Sequence, residues 1–339
     1  MSTQPVPLLP MRPLFFEKIW GGHRLSRVEG KGAPEGRPVG ESWEVADLEE
    51  GESVVAGGPL EGERLGALVE RFGAALVGTR APEGRFPLLV KLIDASNDLS
   101  VQVHPGRHNA HLLAGARPKD EAWLILDSDA GGRVLHGFQD GVDEAAFRAA
   151  IADGRAHELL RSVPVRPGDV VHVSPGVFHA IGRGVFLLEV QEPSDTTYRV
   201  WDFGRKGLDG KPRPLHVDEA LTVAAFGPQP APTVAPFWRP LTSGVEHAFL
   251  VDTPGYRLEE LRLCEGASIR LSLSGETALV VVALSGRARL TLEGGEPVDL
   301  PALHTVVVPA SGGALTLSSE GGSTLALAGL GGAPLSTRA

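Results

Sequence analysis

Cysteine, aromatic residues and long apolar runs are all scarce in this chain of 339 residues. Its single cysteine, Cys264, cannot form a disulfide within the chain, which favours a reducing compartment. No apolar run approaches the length of a membrane span, and the N-terminus lacks the basic start and apolar segment of a secretory signal. These absences predict a cytoplasmic protein that does not associate with a membrane.

Basic residues are in the minority, and a glycine-rich nucleotide loop is missing. The chain has 32 lysine and arginine residues against 42 aspartate and glutamate residues, which gives a formal net charge of −10. An acidic chain has no general electrostatic attraction for DNA or RNA, so we expect no nucleic-acid partner. Because no Walker or dinucleotide motif is present, we expect neither ATP nor NAD as a ligand.

Glycine and proline are abundant, with 43 and 27 residues. Many turns and few long helices follow from such a composition, which is typical of a mainly β protein. The spacing of apolar residues predicts helices over residues 65–78 and 143–161, the second with Gly154 as a weak point. Short runs with the character of strands make up most of the remainder.

The length of the chain allows two domains. Residues 227–240 contain five prolines in fourteen positions and are the best candidate for a linker. We therefore expect a site-bearing domain with helical insertions over residues 1–228 and a smaller β domain over residues 241–339. The smaller domain has strand-like runs separated by glycine, serine and proline turns, which predict a small barrel or sandwich.

Two stretches within residues 86–123 carry polar residues that alternate with apolar ones. Side chains on a strand alternate between its two faces, so every second residue shares a face. The polar faces of the two predicted strands consist of Ser100, Gln102 and His104 on the first, and of Lys119, Glu121 and Trp123 on the second. This pattern is typical of strands that present ligands from a half-buried sheet.

Four residues of these and later segments form a candidate metal site: Gln102, His104, Glu121 and His179, the last after a glycine turn. Two imidazoles with a carboxylate and an amide oxygen suit Zn²⁺, although Mn²⁺, Fe²⁺, Co²⁺ or Ni²⁺ also bind such sets. Because cysteine ligands are absent, a closed structural zinc site is disfavoured, and we expect an open position for water or substrate.

Cations gather near this candidate site although the chain as a whole is acidic. Lys91 interrupts an apolar run, where lysine is rarely found unless it is paired. Arg199 lies between aromatic and apolar residues, and Lys119 and Arg205 are close to it or to the predicted ligands in sequence. A phosphorylated ligand would explain this concentration of positive charge.

Six motifs carry a resemblance to a known family: IWGG at 19–22, GESWEVAD at 40–47, LSVQVHP at 99–105, KDEAW at 119–123, SPGVFHAIGRG at 174–184 and EPSDTTYRVWDFGR at 192–205. Taken together they closely resemble those of the type I mannose-6-phosphate isomerases, most of all the short bacterial form. The resemblance implies a mainly β fold of two cupin-like (jelly-roll) barrels, with a few short helices packed on the N-terminal one. It also implies an isomerase site with one Zn²⁺ per chain.

The resemblance also assigns roles to individual residues. It implies that the metal ligands are Gln102, His104, Glu121 and His179. Arg199 matches the arginine that is held to be catalytic in the family. The metal would serve as a Lewis acid in this chemistry.

Further positions match the substrate pocket of the family. These positions are Lys91, Ser100 and Lys119, with Arg205 as a weaker candidate for the phosphate. The sequence departs from the family at Asp120, where other members have threonine or proline, and at Ser174-Pro175-Gly176, where the family often has Pro-Ala-Gly. Neither departure removes a proposed ligand.

The activity that the resemblance implies is the interconversion of mannose 6-phosphate and fructose 6-phosphate through an enediol, with a small-molecule sugar phosphate as the partner. The reaction also needs a general base, for which the sequence leaves three candidates: a metal-bound water, Glu189 and Glu44. Two other functions remain: an Fe²⁺-dependent cupin oxygenase and a sugar-phosphate-binding cupin without activity. We expect a monomer or a weak homo-oligomer.

Overall fold

The described part of a computed structural model of the chain comprises residues 5–82, 84–228, 231, 233–234, 236–333 and 336–338. These residues are mainly β and form several antiparallel sheets, which confirms the β class expected from the composition. The helices are α1 (Leu65–Phe72), α2 (Ala74–Val77), α3 (Glu144–Ala152) and α4 (Val217–Val223), with 3-10 turns at Leu25–Arg27, Ala110–Leu112 and Ala156–Leu159.

The strands of the first 201 residues are β1 (Leu9–Arg12), β2 (Leu14–Gly22), β3 (Val39–Val45), β4 (Asp47–Leu48), β5 (Gly51–Glu52), β6 (Val54–Val55), β7 (Leu89–Asp94), β8 (Val101–Val103), β9 (Glu121–Ser128), β10 (Arg133–Phe138), β11 (Leu160–Pro164), β12 (Val170–Val173), β13 (His179–Ile181), β14 (Val185–Gln191) and β15 (Tyr198–Trp201). The later strands are β16 (Thr233–Val234), β17 (Phe237–Thr242), β18 (Val245–Asp252), β19 (Arg257–Leu263), β20 (Ser268–Leu273), β21 (Leu279–Leu292), β22 (Val298–Pro301), β23 (Thr305–Val308), β24 (Ala314–Ser318), β25 (Ser323–Gly329) and β26 (Ser336–Arg338).

Both predicted helices exist but are shorter than the apolar spacing suggested. The helix predicted over residues 65–78 divides at Gly73, whose φ of 49° lies outside the helical region. The second begins at Glu144, where Asp143 accepts a hydrogen bond from the backbone N–H of Ala146 as an N-cap. It ends before Gly154, whose φ is 72°, and the prediction of helix up to residue 161 is wrong because strand β11 begins at residue 160.

Two sheets of the first two-thirds of the chain enclose the candidate site. Within the described residues, one has the strand order β11-β10-β13-β8-β15 and the other β16-β12-β9-β14-β7-β3-β2. An apolar cluster contains side chains from both, such as Ile181 from the first and Trp123 and Leu187 from the second. Helices α3 and α4 pack against the other face of the five-stranded sheet, through Phe147 and Leu221. The two sheets can therefore present polar side chains to each other.

A third sheet holds most of the later strands and also takes in the N-terminus. In the described part of the chain it has twelve strands, and β1 joins it through pairing of Leu9 with Val307. Conversely, β16 comes from the later part of the chain but pairs with β12 of the seven-stranded, site-bearing sheet. The division at residues 227–240 stays a prediction, and residues 229, 230, 232 and 235 of that segment lie outside the described residues.

A buried ion pair ties the third sheet to the site-bearing sheet. Lys31 Nζ lies 2.8 Å from Glu44 Oε1, and both side chains are almost completely buried. Ser42 Oγ donates to Glu44 Oε1 at 2.6 Å, and Thr305 Oγ1 donates to Glu44 Oε2 at 2.9 Å. A buried charge requires such partners, because an unpaired one costs several kcal/mol. The link therefore fixes strand β3 against strand β23.

No helix among the described residues is long and apolar enough to cross a membrane.

Glu260 of strand β19 gives a test of this arrangement. Its carboxylate is buried beside Ala248 and Ala326, with Arg262 Nε 3.9 Å away, and burial raises its pKa to about 7. Between the unfolded value of about 4.3 and this value the native state binds the additional proton, so the free energy of unfolding falls as the pH rises. Replacement by glutamine should remove this loss of stability, which amounts to at most about 4 kcal/mol.

The measurement is urea unfolding of Glu260→Gln and the unaltered protein between pH 5 and pH 8. We expect the two to be similar in stability near pH 5 and the variant to be more stable at pH 8. The exposed Glu265→Gln variant serves as the control and should follow the unaltered protein. A variant that is less stable at pH 8 would show that the charged carboxylate is satisfied in the native state.

Candidate metal centre and substrate cavity

The five-stranded sheet places three of the predicted site residues side by side. Gln102 lies on β8, His179 pairs with it from β13, and Arg199 pairs with it from β15 on the other edge. His104 follows β8 directly. His179, which the sequence places after a glycine turn, is the first residue of a strand, and the pairing of this strand with β8 brings it beside Gln102.

The seven-stranded sheet supplies the carboxylate. Glu121 is the first residue of β9 and pairs with Gln191 of β14 and Val173 of β12. Two residues further along β9, the ring of Trp123 contacts the ring of His179 edge-on, with 5.5 Å between their centroids. The predicted alternation along β9 is thus confirmed, because Glu121 and Trp123 both face the five-stranded sheet.

His104, Glu121 and His179 form a buried cluster whose ligand atoms all lie within 4.8 Å of one another. Glu121 Oε2 is 3.5 Å from His104 Nε2, and Glu121 Oε1 is 3.4 Å from His179 Nε2. Ligand bonds of about 2.1 Å in a tetrahedral site place neighbouring ligand atoms about 3.4 Å apart. The distances from the carboxylate to both imidazoles therefore suit a zinc ion.

The outer nitrogens of both histidines are fixed by backbone carbonyls. His104 Nδ1 lies 2.9 Å from Thr196 O, and His179 Nδ1 lies 2.9 Å from Val177 O. Each Nδ1 must carry the proton to donate there, which leaves each Nε2 with a lone pair directed at the cluster.

Both rings are held neutral, which is the form that binds a metal. Burial lowers the pKa of His179 to about 4, against the opposing effect of Glu121. Burial, together with the positive charge of Lys119, lowers the pKa of His104 to about 3. At neutral pH the two imidazoles are therefore ready to act as ligands.

The carboxylate of Glu121 is completely buried, and within the described residues neither of its oxygens accepts a hydrogen bond. The ammonium of Lys119 lies 2.7 Å from Oε2 as an ion pair, and 3.0 Å from His104 Nε2. Burial would raise the pKa of Glu121, but Lys119, His104 and His179 together outweigh burial and hold the pKa well below its usual value. A buried carboxylate beside two neutral imidazoles fits a divalent cation.

Gln102 reaches the same cluster through its side-chain amide. Its Nε2 lies 3.3 Å from His179 Nε2, and its Oε1 accepts a hydrogen bond from Ser100 Oγ at 3.3 Å. The two ends of an amide exchange by a half-turn of the group, which would direct the oxygen at the cluster. The placement is compatible with a fourth ligand, and that role remains a prediction.

A cavity of 250 Å³ lies beside the cluster. Its lining residues are Lys18, Trp20, Glu41, Lys91, Ile93, Leu99, Ser100, Gln102, Lys119, Ile181, Glu189, Asp195, Thr197, Arg199 and Arg213. Lys91, Ser100, Lys119 and Arg199 were all singled out from the sequence, and the fold brings them together here. The volume suits a small molecule rather than a polymer.

The cavity wall pairs its lysines with carboxylates. Lys91 Nζ lies 3.1 Å from Glu189 Oε1, and Lys18 Nζ lies 3.1 Å from Glu41 Oε1. Burial would raise the pKa of Glu41, but Lys18 and Lys91 lower it to about 2. Burial and the charge of Glu121 raise the pKa of Glu189 above its usual range. Of these two acids, Glu189 is thus the one suited to take up and release a proton.

Arg199 is held in place from two sides. Its Nε donates to Ser100 Oγ at 3.0 Å, and its Nη1 donates to Pro214 O at 3.3 Å. Burial and the neighbouring charge of Arg213 lower its pKa, although an arginine remains charged at any physiological pH.

Arg205 and Glu44 lie elsewhere than their sequence-based roles suggested. Arg205 donates to Asp202 Oδ1 at 2.6 Å and to Asp98 O, and it is not among the described residues that line the cavity. Glu44 is paired with Lys31 in the link to the third sheet, and unlike Glu189 it is not among the described residues that line the cavity, which argues against it as the general base. The role of Arg205 as a phosphate ligand therefore requires its guanidinium to leave Asp202 and Asp98.

The sequence analysis missed two cations of the cavity, Lys18 and Arg213. Arg213 Nε donates to Asp202 Oδ2 at 2.6 Å, so it shares this carboxylate with Arg205. It lies in a loop between β15 and α4, outside any motif, and only the return of this loop to the sheet brings it to the cavity. Lys18 stands on the edge strand β2, one residue before the IWGG motif, and that proximity was the available signal.

Known proteins are similar to this chain in sequence and in fold. The family model described as "Phosphomannose isomerase type I, catalytic domain" matches residues 8–122. The mannose-6-phosphate isomerase of Streptococcus mutans is 36% identical over 289 residues, which are 83% of this chain and 87% of that protein. The mannose 6-phosphate isomerase structure from Bacillus subtilis has a TM-score of 0.84 at 27% identity and covers 95% of this chain and 99% of its own.

A further crystal structure extends the likeness in fold. It is that of a mannose 6-phosphate isomerase bound with zinc and yttrium, with a TM-score of 0.72 at 17% identity. The alignment covers 95% of this chain and 99% of that chain. The likeness in fold thus extends over nearly the whole length of both chains.

The cluster predicts the effect of replacing its carboxylate. Glu121→Gln keeps the volume but removes the negative charge between two neutral imidazoles, so zinc affinity should fall at least about 100-fold. The measurement is the zinc content after equilibration with a zinc buffer, read by elemental analysis. Glu189→Gln is the matched control, since Glu189 is an equally buried carboxylate of the same cavity that pairs with Lys91. Equal loss of zinc in both variants would contradict the assignment of Glu121.

Proposed function

The chain belongs to the type I phosphomannose isomerase family, and we propose that it interconverts mannose 6-phosphate and fructose 6-phosphate. The observation that carries the proposal is a buried cluster of His104, Glu121 and His179 beside a cavity lined by lysines and arginines. An aldose–ketose isomerisation moves one proton between neighbouring carbons and needs stabilisation of the negative charge that develops on oxygen. Both the cluster and the cations are suited to that task.

The metal in this proposal is one Zn²⁺ per chain, held by His104, Glu121, His179 and Gln102. The mixed nitrogen and oxygen donors, the absence of cysteine and the spacing of the ligand atoms support zinc. When bound, the ion supplies Lewis-acid polarisation of the substrate oxygen.

The cavity cations would bind the phosphate and orient the sugar. The protein carries a net charge of −10, so a dianionic substrate needs a local positive surface to enter. Lys91, Lys119 and Ser100 would position the hydroxyl groups, since all three line the cavity. We infer that Arg205 belongs to the phosphate site. In this structure it binds Asp202, the carboxylate that also holds Arg213 at the cavity.

Arg199 is the proposed catalytic cation. Its guanidinium is held in the cavity wall by Ser100 and Pro214, beside the predicted ligand Gln102. A fixed positive charge in the cavity wall stabilises a developing enediolate without the cost of reorientation. For the proton transfer itself, Glu189 is the candidate among the side chains, because it lines the cavity and has a raised pKa.

The finer architecture belongs to the same proposal. We infer that the sheets close into two cupin-like barrels, a catalytic one over residues 1–228 and a smaller one over residues 241–339. The opposed five- and seven-stranded sheets with an apolar cluster between them support the first. We also propose that the protein acts in the cytoplasm, as a monomer or a weak homo-oligomer and without a nucleic-acid partner.

The experiment that tests the function is a coupled assay of mannose 6-phosphate isomerisation with chelation and metal rescue. We expect activity with mannose 6-phosphate, loss of that activity after chelation, and recovery with about one equivalent of zinc per chain. Recovery with Fe²⁺ accompanied by O₂ consumption would favour an oxygenase instead. Binding of sugar phosphate without turnover by zinc-loaded protein would favour a binding protein.

Replacement of Arg199 separates catalysis from metal binding. Arg199→Ala should lower kcat by about 1,000-fold or more, because removing one stabiliser of a developing oxyanion costs about that much. Zinc content should remain unchanged, since the guanidinium bonds Ser100 and Pro214 and no residue of the buried cluster. Arg166→Ala, at an exposed arginine, is the control. Near-normal turnover by Arg199→Ala would remove the catalytic assignment.

A further inference from the structure

A turn of the third sheet reaches the strand that carries Glu121. The turn runs from Thr253 to Tyr256, between β18 and β19. Tyr256 is completely buried, and its hydroxyl donates a hydrogen bond of 3.1 Å to Asp120 Oδ1. Asp120 lies directly between Lys119 and Glu121. The later part of the chain therefore touches the metal cluster's own segment, on the side away from the cavity.

Asp120 is anchored at four points. Its Oδ1 also lies 2.8 Å from His172 Nε2, on the neighbouring strand β12. Its backbone N–H donates to Glu192 Oε2 at 3.0 Å, and its backbone carbonyl accepts from the N–H of Glu192 at 3.1 Å. With the hydroxyl of Tyr256, these contacts hold both the side chain and the peptide of Asp120.

The residues on either side of Asp120 both turn toward the cluster. The ammonium of Lys119 lies 2.7 Å from the carboxylate of Glu121, and Glu121 lies within 3.5 Å of both histidines. Any displacement of the backbone at Asp120 moves both of these side chains. Since metal ligation tolerates deviations of only about 0.2 Å, the anchoring of Asp120 bears directly on the cluster.

The turn itself is built to hold Tyr256 in one place. Thr253 N–H donates to Tyr256 O at 2.8 Å, and Thr253 Oγ1 accepts from the backbone N–H groups of Gly255 and Tyr256 at 3.1 and 3.2 Å. A side chain at position 255 would have its Cβ 2.5 Å from Glu192 Cγ. The turn therefore fits against the Asp120–Glu192 pair only because residue 255 is glycine.

We propose that Tyr256 is a positioning residue for the metal centre, acting on Glu121 through Asp120. The inference rests on the proposed function, because it takes the buried cluster as the site of a divalent metal. The hydroxyl of Tyr256 and the imidazole of His172 fix the carboxylate of Asp120, which in turn fixes the position of Glu121. The affinity of the site for its metal thus depends on a residue of the third sheet, which supplies none of the proposed ligands.

The test compares two variants that each remove one hydroxyl that donates a hydrogen bond to a carboxylate. Tyr256→Phe removes the bond to Asp120. Thr305→Val removes the bond to Glu44, which also joins the third sheet to the site-bearing sheet but lies next to no proposed ligand. The zinc dissociation constant of each is measured by competition with a chelator of known affinity, and thermal unfolding is recorded on the same samples.

We expect Tyr256→Phe to weaken zinc binding by about tenfold or more, as replacements of groups that orient metal ligands do. Thr305→Val should lose thermal stability while its zinc affinity stays within about twofold of the unaltered protein. Unchanged zinc affinity in Tyr256→Phe would overturn the inference, and so would an equal weakening in both variants, which would reveal a general loss of stability.

A second variant covers the case that Tyr256→Phe does not fold. Asp120→Asn keeps the size of the side chain and an acceptor for Tyr256, but it removes the charge that strengthens both bonds. It should weaken zinc binding in the same direction, and zinc binding as tight as in the unaltered protein would overturn the inference. If the unaltered protein itself bound no zinc, the proposed function would fail together with this inference. If the unaltered protein bound zinc, and Tyr256→Phe and Asp120→Asn bound it with the same affinity, only the inference would fail.

Discussion

The buried carboxylate of Glu121 is the constraint on which the site depends. An anion taken out of water needs compensation, and neither of its oxygens accepts a hydrogen bond from the described residues. The surrounding groups provide the compensation as positive charge, through the ammonium of Lys119, and as lone pairs for a shared cation, through His104 and His179. The hydrogen bonds that fix Nδ1 of both rings leave each Nε2 with a lone pair directed at Glu121, which fits a candidate metal centre.

The same principle explains how an acidic protein presents a cationic cavity. Lys91 and Lys18 are each paired with a carboxylate of the wall, so their burial does not leave isolated charges. Among the described residues, no carboxylate lies at such a distance from Arg199, which is held by hydroxyl and carbonyl oxygens instead. Its charge is therefore available to a ligand, which distinguishes it from the structural cations around it.

The third sheet contributes none of the proposed metal ligands, but its contacts support the strands that carry the site. The pairing of Lys31 with Glu44, capped by Thr305, fixes β3, and Tyr256 holds the start of β9 through Asp120. Both contacts are polar groups in a buried interface, where an unsatisfied partner costs more than the bond gains. Such contacts specify one arrangement of the sheets more strongly than apolar packing alone, and this arrangement is the one that aligns Glu121 with the histidines.

The sequence by itself determined the β class and the candidate ligands, because strand alternation and residue type are local properties. Alternation placed Glu121 and Trp123 on one face, and the structure agrees. The length of helix α3 escaped prediction, since a glycine with positive φ and the start of β11 override apolar spacing. The contribution of Arg213 and the link from Tyr256 to Asp120 were decided by tertiary structure alone, because both join residues far apart in the chain, and no local pattern encodes the register of sheets that brings them together.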